Sequence, residues 1–324
     1  MKPLKSAFTV LAILAMCSSA SHAQPAYPSQ PLKIVVPFAP GGGSDFIARF
    51  VADKLTKSLG QPVLVDNRPG AGGLLGIELG IKAPADGYTF ILVASSYAVN
   101  PSIFKLKFDP IADITPVIQI SQGPMVLLVN PSLKIKTLAE LLARAKAKPG
   151  DITFASAGLG SVTHMAGEYF ASMAKVKMTH VPYKGTSPAL TDTIAGQTNI
   201  FFSSPASALS HVESGKLVAL GVTTLKRAPG ATYAKVPTIA EAGLPGYEAV
   251  LWHGLIGPKG VPKPVVERIN KEITAALNNK DAIDKLETDG VAPAGGSADQ
   301  FAALIKKDIA LWSKVVKDGN VKVE

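Results

Sequence analysis

The groups able to do chemistry in this chain gather around glycine. Residues 37–45 read PFAPGGGSD, residues 70–75 GAGGLL and residues 156–164 SAGLGSVTH. The first and third lie between a strand-like run and a helix-like run that opens with serine. The first turn of a helix carries unpaired N–H groups and a partial positive charge. Glycine, lacking a Cβ, lets an anion come close to them. These loops therefore suit capture of a carboxylate by backbone. Each hydrogen bond to a charged acceptor contributes about 1.5–3 kcal/mol. About four or five, less desolvation and ordering costs, reach micromolar binding. The competing reading is ordinary tight turns with serine caps. Two such loops, one in each half of the chain, can take the two ends of a dianion across a cleft.

Other chemistries fit less well. In the dinucleotide pattern G-x-G-x-x-G, Phe46, Leu75 and Thr163 stand where the third glycine belongs, and no loop ends in the Lys-Ser/Thr of a phosphate-binding loop. No cofactor is expected. Ser161 and His164 are close enough along a helix to touch, which keeps a secreted hydrolase open. Yet their context is not G-x-S-x-G, and no orienting acid is evident. Ser172 to Lys175 matches S-x-x-K without its partner motifs. His164, His180, His211 and His253 lack ligand spacing and accompanying carboxylates, so no metal is expected. His164 either donates a hydrogen bond to a ligand oxygen or packs its helix. Asp45 either stabilises a helix start or meets a donor such as a ligand hydroxyl, an amine or Arg49.

Alternating elements must position these loops. LKIVVPF reads as a strand, and SDFIARFVADKLTKSLG as an amphipathic helix with Phe46, Ile47, Phe50, Val51, Leu55 and Leu59 on one stripe. PVLVDN, GGLLGIELGIKA and YTFILVAS continue a βαβαβ series, which implies a parallel sheet covered by helices. A strand-rich stretch, residues 109–130, then follows with no helix. A second alternating series runs from TLAELLARAKAK to LVALGVTT, AVLWHGLIGP adds a strand, and three helices close the chain. The expected architecture is α/β in two domains, each a mainly parallel sheet flanked by helices. The first is discontinuous, residues 24–128 plus 252–324, and the second spans 129–251. In such sheets ligands gather beyond the C-terminal ends of the strands, in the cleft.

The 324 residues, 47% hydrophobic and 18% charged, suit two domains better than one. Residues 1–23 read as a signal peptide: Lys2 and Lys5, an apolar stretch too short to span a bilayer stably, then Ser21-His22-Ala23 for cleavage after Ala23. Secretion with such a leader implies a periplasmic protein. Cys17 is the only cysteine, so cleavage leaves no disulfide and no thiol nucleophile. The net charge of +9 invites comparison with nucleic-acid binders. The lysines are instead scattered over polar helix faces without interleaved aromatics, and no nucleic acid is expected.

Nine segments carry a stronger signal. PFAPGGGSD, VDNRPGAGG, ADGYTF, DPIADITPV, FASAGLGSVTHMAGEYF, HVPYKGTSPALTDTIAGQ, SGKLVALGVTT, VPTIAEAGLPGYEA and GPKGVPKPVVERIN, in this order, resemble the solute receptors of the tripartite tricarboxylate transporters, the Bug receptors. The resemblance implies a two-domain periplasmic binding protein of the type II kind that closes on a small organic carboxylate. It implies a large and a small membrane subunit as partners and transport driven by an ion gradient. Presentation of ligand to a sensor system is the alternative role. A monomer without catalytic activity is expected. By position, the resemblance assigns ligand contact to Gly42, Gly43, Ser44 and Asp45, and to Ser156, Ala157, Gly158, Gly160 and Ser161 with His164 behind them. Leu159 departs from the small or polar residue usual there. Ser203 and Ser204 depart where an acidic residue often follows the phenylalanine. Both changes point to a larger or more apolar dicarboxylate.

Overall fold

Apolar runs and amphipathic stretches alternate along this chain, and they fold as two sheets with helices packed on their faces. The computed structural model describes residues 27–228, 232–288 and 290–318. The expected signal peptide, residues 1–23, lies outside the described residues. The first sheet contains β1 (Leu32–Val36), β2 (Val63–Asn67), β3 (Thr89–Ala94), β4 (Ile114–Pro124), β10 (Val250–Pro258) and β11 (Ala292–Gly295), in the order β11-β4-β10-β3-β1-β2. The second contains β5 (Val126–Val129), β6 (Thr153–Ser156), β7 (Thr179–Pro182), β8 (Ile200–Ser203) and β9 (Val218–Val222), in the order β7-β6-β8-β5-β9.

Both sheets are mixed. β1 runs parallel to β2 and β3, and β6 runs parallel to β7 and β8. β10 is antiparallel to both its neighbours, and so is β5. Each of these two strands is the first laid down after the chain crosses between the sheets.

The helices are α1 (Gly43–Leu59), α2 (Leu74–Ile81), α3 (Ser96–Ile103), α4 (Leu138–Ala147), α5 (Val162–Ala174), α6 (Thr186–Ile194), α7 (Pro205–Glu213), α8 (Lys263–Leu277), α9 (Lys280–Thr288) and α10 (Ala298–Asp318). α1 shows why they form. Ile47, Phe50, Val51 and Leu55 are buried on one face, and Gly60 ends the helix in the left-handed conformation with its N–H on the Thr56 carbonyl. Helix α3 is absent from the sequence expectation, because Asn100 and Pro101 read poorly as helix. Burial overrides that propensity: Tyr97, Ala98, Val99 and Ile103 are buried, and α10 packs along α3.

The two crossings are tied together at one residue. The Thr223 hydroxyl, fully buried, accepts from the Met125 N–H at 2.8 Å and donates to the Ala249 carbonyl at 2.6 Å. Its own N–H and carbonyl bond Met125 and Ala249 as well. Met125 leads into β5 and Ala249 leads into β10, so Thr223 clasps the outgoing and returning strands. Replacing Thr223 with valine keeps the shape but strands a buried N–H. A loss of about 1–3 kcal/mol is expected, read as a lower midpoint in urea unfolding; an unchanged midpoint refutes the clasp.

Candidate functional site

A cavity of about 100 Å³ lies where the C-terminal ends of β1, β3, β6, β7 and β8 meet the start of β10. Its lining is built from helix starts. Gly43 and Ser44 open α1, Ser96 opens α3, Val162 and Thr163 open α5, Thr186, Ser187 and Pro188 open α6, and Ser204 caps α7. No Lys, Arg, Asp or Glu lines it among the described residues.

The caps themselves matter. Gly42, Ser95, Gly185 and Ser204, which precede α1, α3, α6 and α7, make no side-chain capping bond. Helix α4, away from the cavity, begins with a complete capping box of Thr137 and Glu140. The cavity thus receives the unpaired N–H groups and partial positive ends of several helices at once, with no cation to compete. Such an environment suits an anion.

The walls come from both sheets and touch across the cleft. A Cβ placed on Gly43 would sit 3.5 Å from Ser204 Oγ, and one on Gly185 would sit 3.8 Å from Ala39 Cβ. At Gly72, where φ is +62°, a Cβ would lie 2.6 Å from the Leu159 carbonyl oxygen. A second cavity of about 550 Å³ shares Phe38, Ala39 and Ala157 with the first and adds Gly158, Leu159, Tyr183 and Lys184.

The residues singled out from sequence divide into two groups. Gly42, Gly43, Ser44, Ala157, Ser161 and Ser204 line the inner cavity, and Gly158 lines the outer one. Asp45, Ser156, Gly160, His164 and Ser203 line neither. Asp45 turns inward: its carboxylate accepts from the Gly41 N–H at 3.0 Å, from Arg49 Nε at 2.9 Å and from Asn67 Nδ2 at 3.0 Å, and Asn67 also holds the Phe38 carbonyl. Burial pushes this carboxyl up, but the bonds from Arg49, Gly41 and Asn67 outweigh it and hold it below its ordinary range. Asp45 therefore braces the loop from within.

His164 braces the other loop. Its Nδ1 accepts from the Gly160 N–H at 3.2 Å, which places the ring proton on Nε2, 3.5 Å from Glu168 Oε1. The ring stacks on His180 with centroids 3.9 Å apart, and His180 Nε2 lies 2.6 Å from Ser156 Oγ. Burial, with the neighbouring His164, pushes His180 down to about 3. Ser161 Oγ accepts from the backbone N–H of His164 and meets Thr163 Oγ1 at 2.9 Å. The imidazole of His164 is engaged elsewhere, so the pair does not form a nucleophile–base dyad. Ser203 is fully buried in β8, and its hydroxyl has no partner among the described residues.

Sequence reasoning missed Ser96, the helix start at Thr186–Pro188 and His253. KGTSP carries the same signal as the other loops, a glycine before a polar helix start. His253 had no such signal: it sits within β10. It is buried, lines the cavity, and places Nδ1 3.2 Å from Ser121 Oγ. Desolvation pushes its pKa down to about 4.

This neutral burial has a sign. A free imidazole titrates near about 6.5, so on acidification the unfolded chain takes the proton first. Stability is full above that value and declines as pH falls towards the folded pKa, by up to about 1.4 kcal/mol per pH unit for His253. His180 acts in the same direction. Urea unfolding at about pH 7 and about pH 5 should show the loss, and His253→Gln should reduce it. A flat profile contradicts a neutral buried imidazole.

Known proteins share the sequence pattern and the fold. The chain is 36% identical over 299 residues to protein BugT of Bordetella pertussis, covering 91% of each. A solved structure, Rpa4515 of R. palustris with adipate, matches with a TM-score of 0.88 and 35% identity over 92% of this chain and 100% of that one. MatC of Rhodopseudomonas palustris with bound malate matches at 0.84 and 32%, over 90% and 100%. The model of the tripartite tricarboxylate transporter family receptor, TctC, matches residues 47–321. The chain belongs to this family of periplasmic solute receptors, with the two-domain α/β fold of periplasmic binding proteins.

Proposed function

We propose that this protein is a non-catalytic periplasmic receptor that encloses a small dicarboxylate and delivers it to a transporter with one large and one small membrane subunit. The observation that carries the reading is the convergence of helix starts on a cavity without a charged side chain. An anion there gains backbone hydrogen bonds from both sides, and its binding draws the halves together. Adipate and malate in the related structures support a carboxylate as ligand.

The contacts fall to Gly42, Gly43, Ser44, Ala157, Ser161 and Ser204, with residues 185–188 and Ser96 completing the ring. Asp45, Ser156, Gly160 and His164 position the loops. Leu159 adds apolar surface to the outer cavity, and we extend the reading to dicarboxylates longer or more apolar than succinate. The receptor acts as a monomer whose residues 129–251 close against the rest.

Thermal unfolding of the mature protein with a panel of aliphatic and aromatic di- and tricarboxylates tests this. Ligand at a hundred times its dissociation constant stabilises by about 2.7 kcal/mol. A clear shift without conversion of the ligand is expected. If protein refolded from denaturant still responds to no carboxylate, the reading is wrong; turnover that Ser161→Ala abolishes would establish an enzyme instead. Gly72→Ala provides a second test. A Cβ there would lie 2.6 Å from the Leu159 carbonyl oxygen across the cleft; where binding holds the walls at this separation, ligand affinity should drop at least about tenfold. The unliganded fold should lose only the local backbone cost, about 1–2 kcal/mol. Equal affinity in wild type and variant argues against closure on the ligand.

A further inference from the structure

The helix starts recognise any carboxylate, and they leave open what distinguishes one acid from another. We propose that His253 is a specificity-determining residue: its neutral imidazole, backed by Ser121, donates Nε2–H to one carboxylate of a dicarboxylate ligand. This deepens the carboxylate reading and rests on it.

The position comes from register. β10 pairs His253 with Ala94 at the end of β3, and with Ser121 of β4 on the other side. His253, Ala94 and Leu251 all line the cavity, so the imidazole belongs to the wall that the first sheet contributes. The other strand residues of that wall, Ala94 and Leu251, are apolar.

The tautomer follows from hydrogen-bond accounting. Ser121 is fully buried, and its hydroxyl meets His253 Nδ1 at 3.2 Å as its one side-chain partner among the described residues. A proton on Nδ1 would leave the serine O–H without an acceptor. With the serine donating to Nδ1, the ring proton moves to Nε2. No hydrogen bond from Nε2 to protein exists among the described residues, and the cavity offers no carboxylate side chain to receive one. Buried donors are rarely left unmade. A donor on a cavity wall that lacks a protein acceptor is matched by an acceptor on the occupant. The helix starts around the cavity disfavour an imidazolium, which keeps the group a neutral donor. An anionic oxygen favours the Nε2–H form further.

Isothermal titration with adipate and hexanoate, and with terephthalate and benzoate, tests the proposal, each pair sharing a carbon frame and differing by one carboxylate. Wild type should prefer the dicarboxylate of at least one pair. His253→Leu should weaken that dicarboxylate at least tenfold and the matching monocarboxylate less than threefold. His253→Gln, which retains an N–H near the Nε2 position, should recover most of the loss. Nitrogen-15 imidazole spectra add a readout that packing alone does not move: the His253 ring should be the Nε2–H tautomer with and without ligand, and the dicarboxylate should shift its Nε2 and Hε2 resonances. Equal binding by His253→Leu and wild type overturns the inference, as does an equal loss for both acids of a pair or a ring signal unchanged by ligand. If wild type binds none of the four acids, the dicarboxylate that shifts its thermal unfolding and the matching monocarboxylate replace them; if none shifts it, the carboxylate reading fails first and the inference with it.

Discussion

The starts of several helices line one small space, and most of what surrounds them follows from that. A helix start that is not capped by its own side chains needs another acceptor. Here Gly42, Ser95, Gly185 and Ser204 leave that need open around the cavity. Bringing these positive ends together costs electrostatic energy when the space is empty, and an anion offsets it. The lining omits Lys and Arg because they are not required, and it omits Asp and Glu because they would compete with the ligand.

Such recognition demands backbone accuracy, and the buried polar groups nearby supply it. The carboxylate of Asp45 gathers Gly41, Arg49 and Asn67, while Asn67 fixes the Phe38 carbonyl. On the facing loop, His164 holds the Gly160 N–H, and Ser156 meets His180. These side chains act through the loops they hold. Their types resemble those of a catalytic site, an acid and two histidines, but their partners are loop main-chain groups, one another and the neighbouring side chains of Arg49, Asn67 and Ser156. The Thr223 clasp plays the corresponding part between the halves, fixing where the two crossing segments meet.

Much of this architecture was legible in the order of residues, because period and punctuation are local. The stripe from Ile47 to Leu55 and Gly60 after it specify α1 without reference to the rest of the chain. Helix α3 was not legible: Asn100 and Pro101 argue against a helix, and only packing under α10 decides otherwise. The reversed directions of β5 and β10 depend on how the chain returns between sheets, which no window of sequence records. In the site, glycine turns before helix starts were visible, since their signal is conformational. The inward direction of Asp45 and His164 was not. A side chain in the first turn of a helix can face a ligand or its own loop, and the difference depends on residues as distant in sequence as Asn67 and His180.

The same logic explains why the resemblance identifies a receptor family more readily than a ligand. Backbone donors read charge and shape, and glycine loops can be retained while the acid they hold changes. Discrimination then has to come from side chains on the strands behind the loops. His253 is one of them. It sits in β10 where its Ala94 neighbour presents only a methyl group, and it adds a directional polar group to strand positions, Ala94 and Leu251, that are otherwise apolar. A site built this way separates two tasks. On the proposed assignment, the helix starts set affinity for carboxylates as a class and strand side chains such as His253 choose among them, so ligand preference would shift by substitution within β10 while the glycine loops stay as they are.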